Sequence, residues 1–98
     1  MATLFIAVWR DAAEVALGDP LQEIAVAIGA ASAQSAAITG KDRQRNRIRL
    51  FADADCFVTW GTDPTALTDG TAGRPLGAGN PEYFDIEAGQ KVAVIQRL

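Results

Sequence analysis

The chain has 98 residues, 49% of them apolar, and a net charge of −3. That length supports one compact domain with a core of its own and leaves too little for two. With no histidine and one cysteine, the chain supplies no Ser-His-Asp triad, no histidine-containing metal site and no internal disulfide.

The charge is unevenly spread: residues 1–40 carry −3, residues 41–49 carry +4 and residues 50–98 carry −4. One short basic strip in an acidic chain argues against bulk nucleic-acid binding, which needs many Lys and Arg side chains to neutralise phosphates. The longest apolar runs, residues 4–9 and 24–28, fall far short of the roughly 20 residues that cross a bilayer. The first residues run straight into Arg10-Asp11, without the basic start or small-residue cleavage site of a secretory signal, so synthesis in the cytoplasm is expected.

Short apolar runs of period two, punctuated by Gly, Pro, Asp and Asn, predict an all-β fold. The expectation is a small antiparallel β-sandwich or barrel, jelly-roll-like, with about seven or eight short strands and one long Gly/Pro/Thr-rich loop. Residues 1–98 are taken as a single β domain in which residues 1–30 are edge strands or an arm that orders on assembly. Leu4, Ile6 and Val8 alternate with Phe5, Ala7 and Trp9, so the first strand is apolar on both faces and is expected to be covered on both. A short strand is expected at residues 14–17, stopped by Gly18-Asp19-Pro20. In residues 21–28, Ile24, Val26 and Ile28 share one face and Glu23, Ala25 and Ala27 the other, as in a half-buried strand. Residues 30–38 leave two readings open. Alanines favour a helix, whereas β-branched residues between Gly29 and Gly40 favour a short strand at about residues 35–39.

A strand over residues 46–52 places Ile48, Leu50 and Ala52 on one face and Arg47, Arg49 and Phe51 on the other. Asp53-Ala54-Asp55 leads into a β-prone run at residues 56–60, and the two runs are expected to pair across a tight connection. Residues 62–81 form one long ordered surface loop, anchored by Leu67 and Leu76, and are the expected contact element. A strand at residues 83–86, a turn at 87–90 and a strand at 91–96 follow, with an ordered C-terminus.

Chemistry-bearing residues are sparse. Cys56 sits in Cys56-Phe57-Val58, where a small buried hydrophobe fits, and a nucleophilic role would need a base that histidine does not supply. Ser32 and Ser35 are the only serines, and neither lies in a Gly-x-Ser-x-Gly elbow. Asp53 and Asp55 would face one way on an extended backbone, as a divalent cation requires, but such pairs more often mark turns and offset nearby Arg47 and Arg49. Gly77-Ala78-Gly79-Asn80 is half of a phosphate loop, yet Pro81 and a strand follow, so these are turn glycines. No catalytic residue, cofactor or metal ligand is assigned.

Arg43, Arg45, Arg47 and Arg49 fall on alternate positions, so an extended backbone projects all four guanidinium groups from one face. Such a row is tolerable on a solvated edge, where it deters strand-to-strand aggregation. Its functional reading is a contact for an acidic protein surface or packaged DNA, because Arg bonds carboxylate and phosphate bidentately. The acidity of the rest of the chain favours a protein.

Residues 32–38 are followed by an ordered series of short signatures: Ile48-Arg49-Leu50-Phe51-Ala52-Asp53-Ala54-Asp55-Cys56-Phe57-Val58, Trp60-Gly61, Pro64-Thr65-Ala66, Pro75-Leu76, Tyr83-Phe84 and Gly89-Gln90-Lys91-Val92-Ala93-Val94-Ile95. It resembles small virion structural proteins encoded among the head and tail genes of tailed phages. The resemblance spans residues 32–96 and leaves out the Arg-rich insert and residues 1–30. It implies a compact β-sandwich or barrel, not an enzyme, made in the host cytoplasm and carried in the virion as a capsid decoration or cement subunit. Tail, fibre-base and connector accessory proteins reuse the same module. The implied partners are the major capsid protein or other virion proteins, in a homo-oligomer or lattice array; run length argues against a membrane and the acidic balance against nucleic acid. Contacts are expected at Phe5 and Trp9, at Arg43, Arg45, Arg47 and Arg49, and on the loop with Leu67, Arg74 and Leu76, since Trp and Arg are favoured anchors. Core packing is the competing reading for Trp9 and Trp60. A carbohydrate- or ligand-binding sandwich using exposed Trp60 and Tyr83 is the alternative from another class. An enzyme would rest on Asp53, Asp55 and Glu82 with raised pKa values.

Overall fold

The structure is a computed structural model that describes residues 2–10, 18–39, 45–67 and 73–97. Among the described residues are eight strands and no helix: β1 (Thr3–Trp9), β2 (Gln22–Ala27), β3 (Ala33–Gln34), β4 (Arg45–Ala52), β5 (Cys56–Gly61), β6 (Arg74–Leu76), β7 (Glu82–Glu87) and β8 (Lys91–Gln96). They form two antiparallel sheets, a front sheet ordered β2-β1-β4-β7 and a back sheet ordered β3-β8-β5-β6.

The period-two pattern decides which side chains meet between the sheets. Leu4, Ile6 and Val8 of β1 and Ile48, Leu50 and Ala52 of β4 point inward, against Cys56 and Val58 of β5 and Val92 and Val94 of β8. All ten are at most 1% exposed. Each large aliphatic side chain buried there contributes roughly 1.5–3 kcal/mol, so this layer dominates stability. The fold is therefore a sandwich, with each sheet giving one apolar face to the other.

Three pairings nest inside one another: β5 with β6, β4 with β7 and β3 with β8. That is a long hairpin folded over on itself, the winding of a jelly roll. β1 pairs with both β2 and β4, taking the place that a strand following β8 would otherwise fill.

The structure corrects several expectations. The run at residues 56–60 does not pair with the strand before it. β4 pairs with β1 and β7, and β5 with β6 and β8, so residues 53–55 cross from one sheet to the other. Both aspartates serve that crossing: Thr3 N–H donates to Asp53 Oδ1 at 2.6 Å, and Ala78 N–H to Asp55 Oδ1 at 2.8 Å. Residues 62–81 are not one loop, because β6 lies within them and sends Leu76 into the core. Residues 30–38 contain the two-residue β3, two positions before the strand expected at 35–39. Ser35 N–H and Ile38 N–H still donate to Val92 and Gln90 carbonyls, so this segment runs along β8 without regular ladder geometry. The expected strand at residues 14–17 lies outside the described residues.

Turn chemistry matches the glycines. Gly79 (φ +76°) and Gly89 (φ +90°) occupy the left-handed region that glycine enters at little cost, before β7 and before β8 respectively. At the far end, Arg97 N–H donates to Asp55 O at 3.1 Å, which ties down the residue after β8.

Candidate functional site

The two outer faces differ. On the back sheet, Ala93 and Ile95 of β8 point outward yet are buried, packed with Phe57 and Ala66 in a second small cluster. Residues 62–67 fold over that face, held by Ala66 N–H donating to Ser32 Oγ at 2.9 Å. Gln34 Nε2 also donates there, to Asp63 Oδ1 and Pro64 O, both at 2.8 Å. On the front sheet, by contrast, Phe5 is 46% and Tyr83 45% exposed. Isolated exposed apolar residues need no explanation, but grouped ones mark contact surfaces.

Register groups them. Phe5 lies opposite Ala25 on β2 and Phe51 on β4. One step along, Ala7 lies opposite Glu23 and Arg49, and Arg49 opposite Tyr83. The Phe5 and Phe51 rings sit 6.5 Å apart at 44°. Phe5, Glu23, Arg49, Phe51, Pro81 and Tyr83 line one shallow open trough of about 540 Å³. It continues past Phe5 onto Ala7 and Ala25, where small side chains keep the floor low.

The arginine strip forms the trough's charged flank. Arg45, Arg47 and Arg49 do share the outer face of β4, as alternation predicts. β4 is an interior strand rather than the solvated edge on which such a row was expected. Its neighbour β7 is acidic, and the register sets Arg45 against Glu87 and Arg47 against Asp85. Arg47 Nε donates to Asp85 Oδ1 at 2.7 Å. Arg49 instead lies over the Trp9 ring, 5.5 Å from its centroid, a cation–π contact. Arg43 lies outside the described residues.

The remaining expected contact residues separate. Trp9 is 3% exposed, capped by Arg49 and donating Nε1–H to Gly18 O at 3.3 Å, so it is a support of the face rather than an anchor on it. Leu76, 1% exposed, is a core residue and not a loop contact, because β6 turns it inward. Leu67 is 42% exposed and Arg74 is exposed, but both belong to the β5–β6 side, away from the trough. Arg74 lies 4.8 Å above the Phe84 ring, itself 4.8 Å from the Trp60 ring. Trp60 and Phe84 pack against the core between the sheets, whereas Tyr83 points out of the front face. The aromatic platform of a ligand-binding sandwich, built from Trp60 and Tyr83 together, is therefore not formed.

Sequence alternation put Phe51 on the face of Arg47 and Arg49, and Tyr83 entered only the ligand-binding alternative; neither these two nor Glu23 was joined to the expected contacts. Phe51 had a usable signal, since it continues the alternation of Arg47 and Arg49. Glu23 and Tyr83 join the face only through strand pairing across long sequence separations.

Two titratable groups are shifted from their ordinary range, Asp55 and Cys56. Hydrogen bonding from the Ala78 amide, and then Arg97, holds the Asp55 carboxyl below its ordinary range. Burial pushes the Cys56 thiol up to about 11, which favours its protonated form at neutral pH. Among the described residues no group of three or more His, Cys, Asp or Glu is placed to hold a metal ion. No family model, curated protein or solved structure matches the chain.

Proposed function

We propose that this protein is a structural subunit of a tailed-phage virion, a capsid decoration or cement protein, acting through protein–protein contacts made by the outer face of the front sheet. The observation that carries this reading is the asymmetry of the sandwich: one outer face is covered by residues 62–67, whereas no described segment covers Phe5 and Tyr83 on the other, which stay about half exposed. An aromatic centre bordered by charged side chains is the anatomy of a protein contact, in which apolar burial supplies affinity and the charged rim supplies register. The resemblance of residues 32–96 to virion structural proteins supplies the setting. On a capsid lattice, many identical weak contacts add up to strong attachment. Little else is asked of such a subunit than a rigid scaffold, and the nested antiparallel sheets are one.

The test is co-sedimentation of purified protein with phage shells that lack it, followed by heating of the shells. Saturable binding at a fixed ratio to the major capsid protein, with added heat resistance, is the expected result. Shells that neither bind the protein nor gain heat resistance would exclude decoration. Binding to isolated tails or connectors would then reassign it to an accessory role in those parts.

A further inference from the structure

We infer that the outer edge of β7 takes up an extended segment of a partner protein as an added strand, one that alternates basic with apolar side chains. The backbone edge is a separate surface from the trough, although Tyr83 borders both, and its occupancy does not depend on the shell contact.

Hydrogen-bond phase shows which groups of β7 are left over. Consecutive residues of an antiparallel strand turn their N–H and C=O groups to opposite sides. Ile28 N–H donates to Ala2 O, which sets Leu4 and Ile6 of β1 towards β2. Phe5 and Ala7 therefore face β4, and Asp53 N–H donates to Thr3 O in the same phase. Arg49 and Phe51 are engaged with β1, so Ile48 and Leu50 bond β7, at Phe84 and Glu82. The N–H and C=O groups of Tyr83 and Asp85 then point off the end of the sheet. Glu87 agrees with this phase: its N–H donates to Gln90 Oε1 and its carbonyl accepts from Gln90 N–H, not from β4. Among the described residues nothing meets the backbone groups of Tyr83 and Asp85.

Open edges template the pairing of another strand, and the other edges of this sandwich are guarded. β3 has only two residues, and β6 has three with Pro75 among them, which offers no N–H. On the β2–β3 flank, residues 35–39 span both sheets. Ser35 and Ile38 N–H donate to Val92 O and Gln90 O, Gln22 Nε2 donates to Ala37 O, and Thr39 N–H donates to Gln22 Oε1. No described segment bridges the β6–β7 flank in this way, and Trp60 and Phe84 stay only partly buried there.

The side chains specify the occupant. A residue paired with Asp85 shares its face, beside the exposed carboxylates of Asp85 and Glu87, and is best basic. Residues paired with Phe84 and Ile86 lie on the inner side, next to the partly open Trp60–Phe84 contact, and are best apolar. In such strand addition the main-chain bonds give affinity and the alternate side chains give specificity.

The experiment follows single amides by NMR while a capped Lys-Val-Lys-Val-Lys-Val-Lys peptide is added up to about 1 mM, where weak association is read. In the free protein the Tyr83 and Asp85 amides are expected to exchange freely, while those of Phe84 and Ile86, bonded to β4, are protected. Peptide is expected to slow exchange at Tyr83 and Asp85 selectively, and the same peptide N-methylated at its lysines is expected not to. Asp85→Lys is expected to weaken the peptide about tenfold or more and to favour a Glu-Val counterpart. Asp85→Pro, which removes one outward N–H, is expected to abolish binding; melting curves verify that both variants fold. Absence of selective protection at about 1 mM peptide overturns the inference, as does equal binding of the N-methylated peptide. Tyr83 and Asp85 amides already protected in the free protein overturn it too, because the edge is then filled; a concentration-dependent rise in mass alongside would assign the edge to a second copy instead.

Discussion

Arg47 Nε donates to Asp85 Oδ1 at 2.7 Å, and the two residues are directly opposed in the β4–β7 ladder. With Arg45 against Glu87 one step further along, this explains how an interior strand tolerates a row of arginines: the next strand supplies carboxylates in register. Asp85→Lys sets like charges opposite one another and is expected to lower stability by about 0.5–1 kcal/mol, small because both side chains are solvent-screened. Arg47→Glu in the same chain is expected to recover most of that loss. Urea unfolding of the two single variants and the double variant at low and high salt checks it; losses that simply add would remove the coupling.

Ser35 ties the irregular segment after β3 to β8. Its Oγ accepts from Val92 N–H at 2.9 Å and donates to Ala36 O at 2.8 Å, and the residue is 6% exposed. Ser35→Ala leaves the Val92 amide without its acceptor, at an expected cost of about 1–3 kcal/mol. Thermal unfolding measures it, and an unchanged melting temperature would mean that water or a shifted backbone replaces the hydroxyl.

Asp55 gives the acid limb of stability a specific origin. Its folded pKa is held below the ordinary 3.8 by the Ala78 amide and Arg97. A depressed carboxyl contributes stability above its unfolded pKa, and that contribution is lost as pH falls through the folded value. Asp55→Asn is therefore expected to melt lower than wild type at neutral pH, with the gap closing below 3.8. A gap that persists undiminished to about pH 2 would contradict this origin.

Cys56 gives the alkaline limb one. Burial raises its thiol from 9.0 to about 11, so the folded state prefers the protonated form. That preference is fully present below the unfolded pKa and is lost as pH rises through the folded one. Stability is thus expected to decline between 9.0 and about 11, less so in Cys56→Ala after allowance for its smaller core volume. Thiol labelling of the native protein at pH near 8 is expected to proceed only as fast as unfolding; rapid labelling would show that the thiol is reachable.

Much of the fold was legible in the sequence because period-two alternation is a local signal. It located the strands at residues 22–27, 45–52, 82–87 and 91–96 to within a residue or two. It also placed Ile48, Leu50 and Ala52 opposite the arginines. Pairing was not legible: nothing in Asp53-Ala54-Asp55 distinguishes a hairpin turn from a crossing between sheets, and that choice is made by long-range packing. The site divided in the same way. Alternation put Arg49 on an outer face, but it could not show that Arg49, forty residues away, covers Trp9, so the contact and core-packing readings of Trp9 both stayed open. Tyr83 and Glu23 were not joined to Phe5 and Arg49 because strand neighbours, not sequence neighbours, bring them to the trough.

On the proposed function, the outer face of the front sheet around Phe5 and Phe51 makes the contacts with the shell. The most direct measurement compares shell binding by wild type with that of the Phe5→Ser/Phe51→Ser variant, with melting curves run alongside. Both rings lie outside the main core cluster, so the variant is expected to fold. The account predicts a variant that folds but loses saturable binding and no longer protects shells from heat. A folded variant that binds and protects as well as wild type would contradict it.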